Sequence, residues 1–279
     1  MISRRVFLAS GCAVAAAPFA ARAELSRLVI KGSLQQSGLV VGTAAGGAAV
    51  TVDGKAISVS PEGYFAFGLN YDQTKPSIVA VKFSDIESET HVITPVVRHY
   101  DIQKVNGLPE NTVHIPPEVE ERIRRENAMV AEARKRDTAA TDFAKPFDWP
   151  VRGIVSGTFG SQRIDNGTPM SPHFGVDIAA AKGTPIHAPA DGVVSLAEPD
   201  FYLTGGTTML DHGHGVSTVY IHQDEVKVKP GDAVKRGDVI GLVGMKGRAT
   251  GPHLHWGMNW FQMRLDPSLS AVTPSPEKA

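Results

Sequence analysis

The segment Thr250-Gly251-Pro252-His253-Leu254-His255-Trp256 places two histidines two residues apart, directly after a Gly-Pro pair. Residues two apart in an extended strand point to the same face of the sheet, so His253 and His255 would face one cavity. A second segment, Ser171-Pro172-His173-Phe174-Gly175-Val176-Asp177, carries a histidine and an aspartate four residues apart. If it is also extended and the two strands lie side by side, all four side chains converge.

Imidazole and carboxylate groups together are typical zinc ligands, and a catalytic zinc site takes three protein ligands and keeps one position open for water. The four candidate side chains exceed the three ligand positions by one, so one histidine is not needed as a ligand. His222, in Tyr220-Ile221-His222, adds a second spare imidazole. Spare imidazoles near a metal suit general acid–base work or the stabilisation of an oxyanion. The residues alone predict a metal site and leave its ligand set open.

The sequence around these motifs predicts a mainly β protein with two domains. From Pro146 to about Pro267 short β-type segments are separated by Gly and Pro, and this part holds seven of the ten histidines. We predict an antiparallel β domain over residues 146–270 and a flexible tail over 271–279. Residues 24–105 contain short β-branched runs and an Asp53-Gly54 turn signal, which predict a small immunoglobulin-like β-sandwich.

Residues 106–145 are expected to link the two domains and to contain a helix at about 117–137. The helix would begin at prolines, carries glutamates early and arginines late, and lacks glycine. Its apolar residues form one narrow stripe of Val119, Ile123 and Val130, with Met129 beside it. Acidic residues alternate with the basic ones, which argues against a membrane-binding helix.

The first 23 residues are typical of a secretory signal peptide. Arg4 and Arg5 precede an apolar run, which closes with the small-x-small pattern Ala21-Arg22-Ala23. The run is too short and too weakly apolar for a spanning helix. The Arg-Arg pair favours the twin-arginine export route, and lipid attachment at Cys12 is a minor alternative.

Composition narrows the classes of partner. Removal of residues 1–23 takes away three of the 28 Lys and Arg residues and none of the 29 Asp and Glu residues, so the mature chain carries a formal charge of −4. No basic stripe suggests nucleic-acid binding. The single cysteine leaves with the signal, which excludes a disulfide framework. We expect no stable membrane insertion after cleavage.

The motifs resemble the LytM/lysostaphin-type metallopeptidases, the murein DD-endopeptidase family, from about residue 149 to 267. The resemblance is carried by Gly157-Thr158-Phe159-Gly160, S-P-H-F-G-V-D (171–177), P-I-H-A-P-A-D-G-V-V (185–194), D-H-G-H-G-V-S-T-V-Y-I-H (211–222) and T-G-P-H-L-H-W (250–256). It implies a LytM-type antiparallel β domain that hydrolyses peptide bonds of peptidoglycan with one Zn²⁺ per catalytic domain.

The resemblance also implies roles for individual residues. His173, Asp177 and His255 would be the metal ligands. His222 and His253 would be catalytic, orienting and polarising the attacking water and the scissile carbonyl. Arg163 and Asn166 lie in the loop that borders the groove in this family, so we expect them to bind substrate, with Arg163 on carboxylates of the peptide stem. An ordinary exposed loop arginine is the alternative for Arg163.

Other candidate side chains are expected to be structural. His187 lies in a Pro-flanked turn region, and His212 and His214 flank a glycine in a predicted hairpin. Asp191 and Asp211 are typical turn residues. Trp256 and Trp260 are expected to be core or wall residues.

Together these features predict an exported zinc metalloendopeptidase that acts on peptidoglycan, most simply in a Gram-negative periplasm. Two alternatives stay open: a non-catalytic regulator of wall hydrolases, and a metallopeptidase that cuts a secreted peptide or protein. The N-terminal module would either shield the groove or bind the wall or a regulatory partner. Shielding predicts that a chain starting near residue 141 is faster than the whole mature chain.

Overall fold

The N-terminal half begins with two small antiparallel sheets that share one core. The computed structural model describes residues 27–45 and 47–272, and the backbone alone of 277–278; the predicted signal peptide and Cys12 lie outside this part. The strands are β1 Leu28–Gly32, β2 Leu39–Ala44, β3 Ala49–Val52, β4 Lys55–Ile57, β5 Tyr64–Gly68, β6 Ser77–Lys82 and β7 Ser88–Ile93. The sheet orders are β1-β2-β5 and β4-β3-β6-β7.

The alternating apolar residues of these strands point inwards, as the two-residue period requires. Val40 and Phe67 from one sheet pack with Val79 and Val81 from the other, and all four are fully buried. The predicted Asp53-Gly54 turn joins β3 to β4, with both residues at positive φ. The two-sheet arrangement agrees with the predicted sandwich, whereas its immunoglobulin-like connectivity stays a prediction.

The linker contains more structure than the sequence suggests. It contains α1 Glu110–Val113 and α2 Pro117–Ala133, and strand β8 Ile102–Val105 directly precedes it. The helix α2 begins where predicted and ends four residues earlier than the expected 137. Val130 and Ala133 pack on Met209 and Val219 of the second domain. Met129, which was expected beside the apolar stripe, is exposed.

The second domain is built around one large sheet. Its strands are β9 Ile154–Gly157, β10 Gln162–Asp165, β11 Thr168–Pro169, β12 Val176–Ala179, β13 Pro185–His187, β14 Gly192–Phe201, β15 Gly205–Gly213, β16 Val216–Val226, β17 Ala233–Val234, β18 Val239–Val243, β19 His253–Trp260, β20 Met263–Leu265 and β21 Glu277–Lys278. The main path runs β17-β14-β15-β16-β19-β12-β9-β21. The mainly β class is confirmed.

Strand pairing crosses two of the predicted domain bounds. Strand β8 lies within the residues assigned to the N-terminal module and pairs in parallel with β10 of the second domain, with Arg163 opposite Gln103. Within the predicted tail, Glu277–Lys278 pairs in parallel with β9. The domain bounds and the flexibility of the tail stay predictions.

The N-terminal module packs against the second domain through aromatic side chains. Tyr71 stacks on Tyr100 at 4.3 Å between ring centroids, meets Phe174 edge-on at 5.5 Å, and donates a hydrogen bond to the Gly160 carbonyl oxygen at 3.0 Å. Within the described residues, no helix has the length and apolar character needed to cross a membrane.

Candidate metal centre

Strands β12 and β19 lie side by side and bring the two sequence motifs together. They pair antiparallel, with Asp177 directly opposite His255 and Ala179 opposite His253. The strand period places His253 and His255 on one face, as predicted. The segment that carries His173 is not part of the strand, as an extended segment would have required. His173 lies in the loop before β12, which begins only at Val176. That loop still carries the imidazole to the same point.

Three side chains converge as a compact group of donor atoms. His173 Nε2 lies 2.8 Å from His255 Nδ1 and 3.0 Å from Asp177 Oδ1, and His255 Nδ1 lies 2.9 Å from Asp177 Oδ1. A tetrahedral zinc ion with bonds of about 2.0–2.1 Å needs donors about 3.3 Å apart, so a small opening of the triangle would accommodate it. The two-nitrogen, one-oxygen donor set fits a metal ion of this type.

The hydrogen bonds and charges of the group also suit a cation. A carbonyl oxygen can only accept, so the 3.1 Å contact of His173 Nδ1 with the Thr158 carbonyl fixes the proton on Nδ1 and leaves Nε2 with its lone pair. Burial alone would raise the pKa of Asp177, but the His173 and His255 imidazoles outweigh it and hold this pKa well below its usual value. Burial lowers the pKa of His255 to about 4. At neutral pH, Asp177 is therefore an anion and His255 is neutral, the forms that bind metal.

The two spare histidines stand beside this group. The His222 and His253 ring centroids are 4.7 Å apart, and His253 Nε2 lies 3.9 Å from Asp177 Oδ1. His222 Nδ1 donates to the Lys246 carbonyl at 2.8 Å and His253 Nδ1 to the Gly251 carbonyl at 2.9 Å. In the neutral form of each ring, these bonds place the proton on Nδ1 and the lone pair on Nε2.

His222 is also placed by an unusual backbone. It lies in β16 at φ 63, and its N–H donates to the Thr204 carbonyl at 2.7 Å. Burial lowers the pKa of His222 to about 3, and the nearby His253 and His255 add to the shift. The ring is therefore neutral at pH 7, with its proton on Nδ1 and the Nε2 lone pair available.

The two predicted substrate residues have different positions. Arg163 Nη2 is bonded to Asp177 Oδ2, so its guanidinium supports a candidate metal ligand; its contact with substrate stays a prediction. For Asn166, contact with substrate also stays a prediction. Its side chain is engaged by the linker, with Oδ1 accepting from the Leu108 N–H at 3.2 Å and Nδ2 donating to the Leu108 carbonyl at 3.0 Å and to Glu110.

A cavity of about 550 Å³ opens beside His173 and His255. Besides Arg163, its wall includes three arginines that the sequence motifs did not indicate: Arg134, Arg248 and Arg264. They come from the end of α2, the loop before β19, and β20. Of these three, only Arg248 could have been found from the sequence, because it lies two residues before the motif that begins at Thr250.

The remaining histidines and the turn aspartates have structural partners. His212 is buried, with Nδ1 donating to the Asp191 carbonyl at 2.7 Å and Nε2 at 2.8 Å from Thr218 Oγ1. His214 packs on Phe143 at 4.9 Å, and exposed His187 donates to the Gly237 carbonyl. These contacts agree with the structural roles expected from the sequence.

Comparisons with known proteins place the same region in one family. The family model "Peptidase family M23" matches residues 171–267. The peptidoglycan DD-endopeptidase ShyA of Vibrio cholerae is 40% identical over 131 residues, which are 45% of this chain and 30% of ShyA. The DD-carboxypeptidase/endopeptidase Mpg of Neisseria meningitidis is 41% identical over 106 residues, 38% of this chain and 24% of Mpg. The chain thus matches less than a third of the length of these curated relatives.

A solved structure extends the likeness to both domains. The crystal structure of a Pseudomonas aeruginosa protein assigned to peptidase M23 matches with a TM-score of 0.66 and 29% identity, covering 86% of this chain and 96% of that one. The match therefore reaches well beyond residues 171–267. Residues 171–267 therefore match the model of peptidase family M23, and the likeness to the Pseudomonas aeruginosa structure extends over both domains.

Proposed function

We propose that the chain is an exported zinc metalloendopeptidase that hydrolyses peptide cross-links of bacterial peptidoglycan in a Gram-negative periplasm. The convergence of His173, Asp177 and His255, with two further histidines beside them, carries this proposal. The names of ShyA and Mpg support the substrate class. The pattern of residues 1–23 supports export.

The histidine and aspartate side chains divide the chemistry between holding a metal and moving protons. His173 Nε2, Asp177 Oδ1 and His255 Nδ1 would hold the zinc ion. When bound, zinc supplies Lewis-acid polarisation of the peptide carbonyl and lowers the pKa of water at the site towards neutrality.

His222 and His253 present unprotonated Nε2 atoms beside the metal ligands. Because each Nδ1–H is held by a backbone carbonyl, neither ring can turn away from the metal ligands without losing a hydrogen bond. One Nε2 can accept the proton of the attacking water and return it to the leaving amine, while the other Nε2, which is an acceptor, can act on the developing oxyanion only through an ordered water.

A regulator without catalysis would not need this constellation. The three converging ligand side chains, the two further histidines next to them and the cavity beside His173 and His255 all favour an enzyme. Hydrolysis of a secreted peptide would use the same centre, so the substrate must be tested directly.

The test incubates residues 24–279 with isolated sacculi, with and without a chelator, and identifies released fragments by mass spectrometry. We expect cross-linked dimers to be converted into monomers, and a chelator or His255→Ala to abolish the conversion. His187→Ala is the matched control, because His187 is an exposed histidine of the same domain and should leave release unchanged. Chelator-resistant release would contradict a metal-dependent mechanism, and no release by a zinc-loaded protein would favour a regulator or a different peptide substrate.

A further inference from the structure

The cavity beside the metal centre is strongly cationic. It is bounded by His173 and His255 on one side, and its wall includes four arginines but only one acidic residue, Asp165. The four arginines are Arg134, Arg163, Arg248 and Arg264. The cavity wall is therefore locally positive, although the whole chain has a slightly negative formal charge.

Two of these arginines already face a carboxylate. Arg163 is bonded to Asp177, and Arg248 Nε lies 3.8 Å from Asp165 Oδ2. Asp165 is fully buried, and neither of its carboxylate oxygens has a hydrogen-bond partner. These pairs account for half of the positive charge in the cavity.

Arg134 and Arg264 have no such partner. No carboxylate in the described residues lies within 4.0 Å of either guanidinium. Arg264 Nη1 donates only to the Asn259 side-chain oxygen at 3.2 Å. Arg134 is only 8% exposed, and its buried Nε makes no hydrogen bond. A buried guanidinium with unsatisfied donors is costly to maintain, and its natural complement is a planar oxyanion.

Both groups remain cations at neutral pH. Burial and the nearby charge of Arg264 lower the pKa of Arg134 to about 9, and burial lowers the pKa of Arg264 to about 10. Burial makes the charged form of each guanidinium less stable. A bound carboxylate would stabilise that form, because it can pair with a guanidinium through two parallel hydrogen bonds.

The linker helix supplies part of this wall. Asn127, Val130 and Arg134 are spaced i, i+3 and i+7 and therefore lie on one face of the helix, and all three line the cavity. The helix is thus a component of the site as well as a connection between the domains.

We propose that this cavity is a carboxylate-binding subsite, in which Arg134 and Arg264 bind an ionised carboxyl group of the peptide substrate. The inference rests on the proposed peptidase function, because the cavity is lined by His173 and His255 of the metal centre at which the peptide would be cut. It assigns to Arg134 and Arg264 the carboxylate recognition that the sequence suggested for Arg163, whose guanidinium is held by Asp177.

A binding measurement tests this subsite without requiring turnover. The probes are the uncross-linked stem tetrapeptide L-Ala-D-Glu-diaminopimelate-D-Ala as the free acid and the same peptide with its carboxyl groups converted into carboxamides. They are titrated into zinc-loaded residues 24–279 by calorimetry. We expect the free acid to bind about 10- to 100-fold more tightly, as for hydrogen bonds between charged partners.

Variants locate the preference. Arg134→Gln and Arg264→Gln should each remove most of it, whereas Arg124→Gln should retain it. Arg124 is the matched control, since it lies exposed on the same helix and pairs only with Glu121. Equal binding of acid and amide to the unmodified protein, binding of neither, or a preference that survives in both cavity variants would overturn the subsite.

The sacculus assay keeps the two proposals separate. Hydrolysis of sacculi without any acid preference would disprove the subsite and leave the peptidase function standing. An acid preference that depends on Arg134 and Arg264, in a protein that releases nothing from sacculi, would support the subsite and disprove the proposed function. If one variant fails to fold, the other variant still decides, because the loss of the acid preference in either one assigns that preference to the cavity.

Discussion

Gly175 allows His255 to occupy its place in the metal centre, and its replacement by alanine gives a sharp test of that geometry. A Cβ at residue 175 would lie 2.3 Å from His255 Nε2, 2.5 Å from His255 Cε1 and 2.8 Å from the Trp256 carbonyl oxygen. Ordinary contacts of a Cβ begin at about 3.4 Å, so the ring must retreat by about 1 Å. The carbonyl belongs to the backbone of β19 and cannot move independently of that strand.

A displacement of this size would break the donor triangle. His255 Nδ1 now lies 2.8 Å from His173 Nε2 and 2.9 Å from Asp177 Oδ1, and metal sites require distances within about 0.2 Å of their ideal values. We expect Gly175→Ala to weaken zinc binding by at least about 100-fold, which corresponds to about 2.7 kcal/mol. The matched control is Gly251→Ala, because a Cβ at residue 251 meets nothing within 4 Å.

Zinc affinity is measured by competition with a chromophoric chelator, and thermal unfolding in excess chelator checks that each variant is folded. Zinc should raise the melting temperature of the unmodified protein and of Gly251→Ala, but hardly that of Gly175→Ala. Zinc affinity of a folded Gly175→Ala within threefold of the unmodified protein would show that His255 is not held against Gly175, and would refute the assigned ligand geometry.

Three further predictions concern the supporting structure. Arg163→Gln should weaken zinc binding by about 10- to 100-fold through loss of its bond to Asp177, whereas unchanged zinc affinity with a raised KM would assign Arg163 to substrate alone. Burial lowers the pKa of His212, so below pH 6.5 the unfolded chain takes up a proton there that the folded chain does not. As the pH falls, the unfolding free energy of the unmodified protein should therefore decrease more than that of His212→Gln, by up to about 1.4 kcal/mol per pH unit. Urea unfolding at pH 7.5 and 5.5 measures both proteins, and an equal decrease in the two would contradict this prediction. A chain of residues 141–279 should melt at a lower temperature and release less from sacculi, because it lacks Arg134 and the other linker contacts; faster release by a folded protein would instead favour shielding.

The candidate metal centre was accessible from sequence because its geometry is largely local. The two-residue strand period places His253 and His255 on one face, and the resemblance to a peptidase family assigned His173 and Asp177. What the period cannot show is which strand lies opposite which. The pairing of Asp177 with His255 follows from a register between strands more than 70 residues apart.

The residues that the sequence did not indicate are those whose role depends on packing between distant elements. Arg134 and Arg264 lie in no motif, and they meet only because α2 packs against the sheet that carries β20. Asn166 shows what the resemblance did not indicate. The family suggested contact with substrate, which stays a prediction, whereas its bonds to Leu108 show that it anchors the linker.

The position of the linker bears on what the N-terminal half contributes. Strand β8 pairs with the strand that carries Arg163, and α2 places Arg134 in the cavity wall, so residues outside the matched region 171–267 hold and extend the candidate site. The likeness to the Pseudomonas aeruginosa structure covers 86% of this chain, which indicates that this combination of module, linker and catalytic domain recurs. A purely inhibitory module would cover the cavity without supplying an unpaired guanidinium to it. The unpaired charge of Arg134 therefore favours a linker that helps to build the substrate site over one that only blocks it.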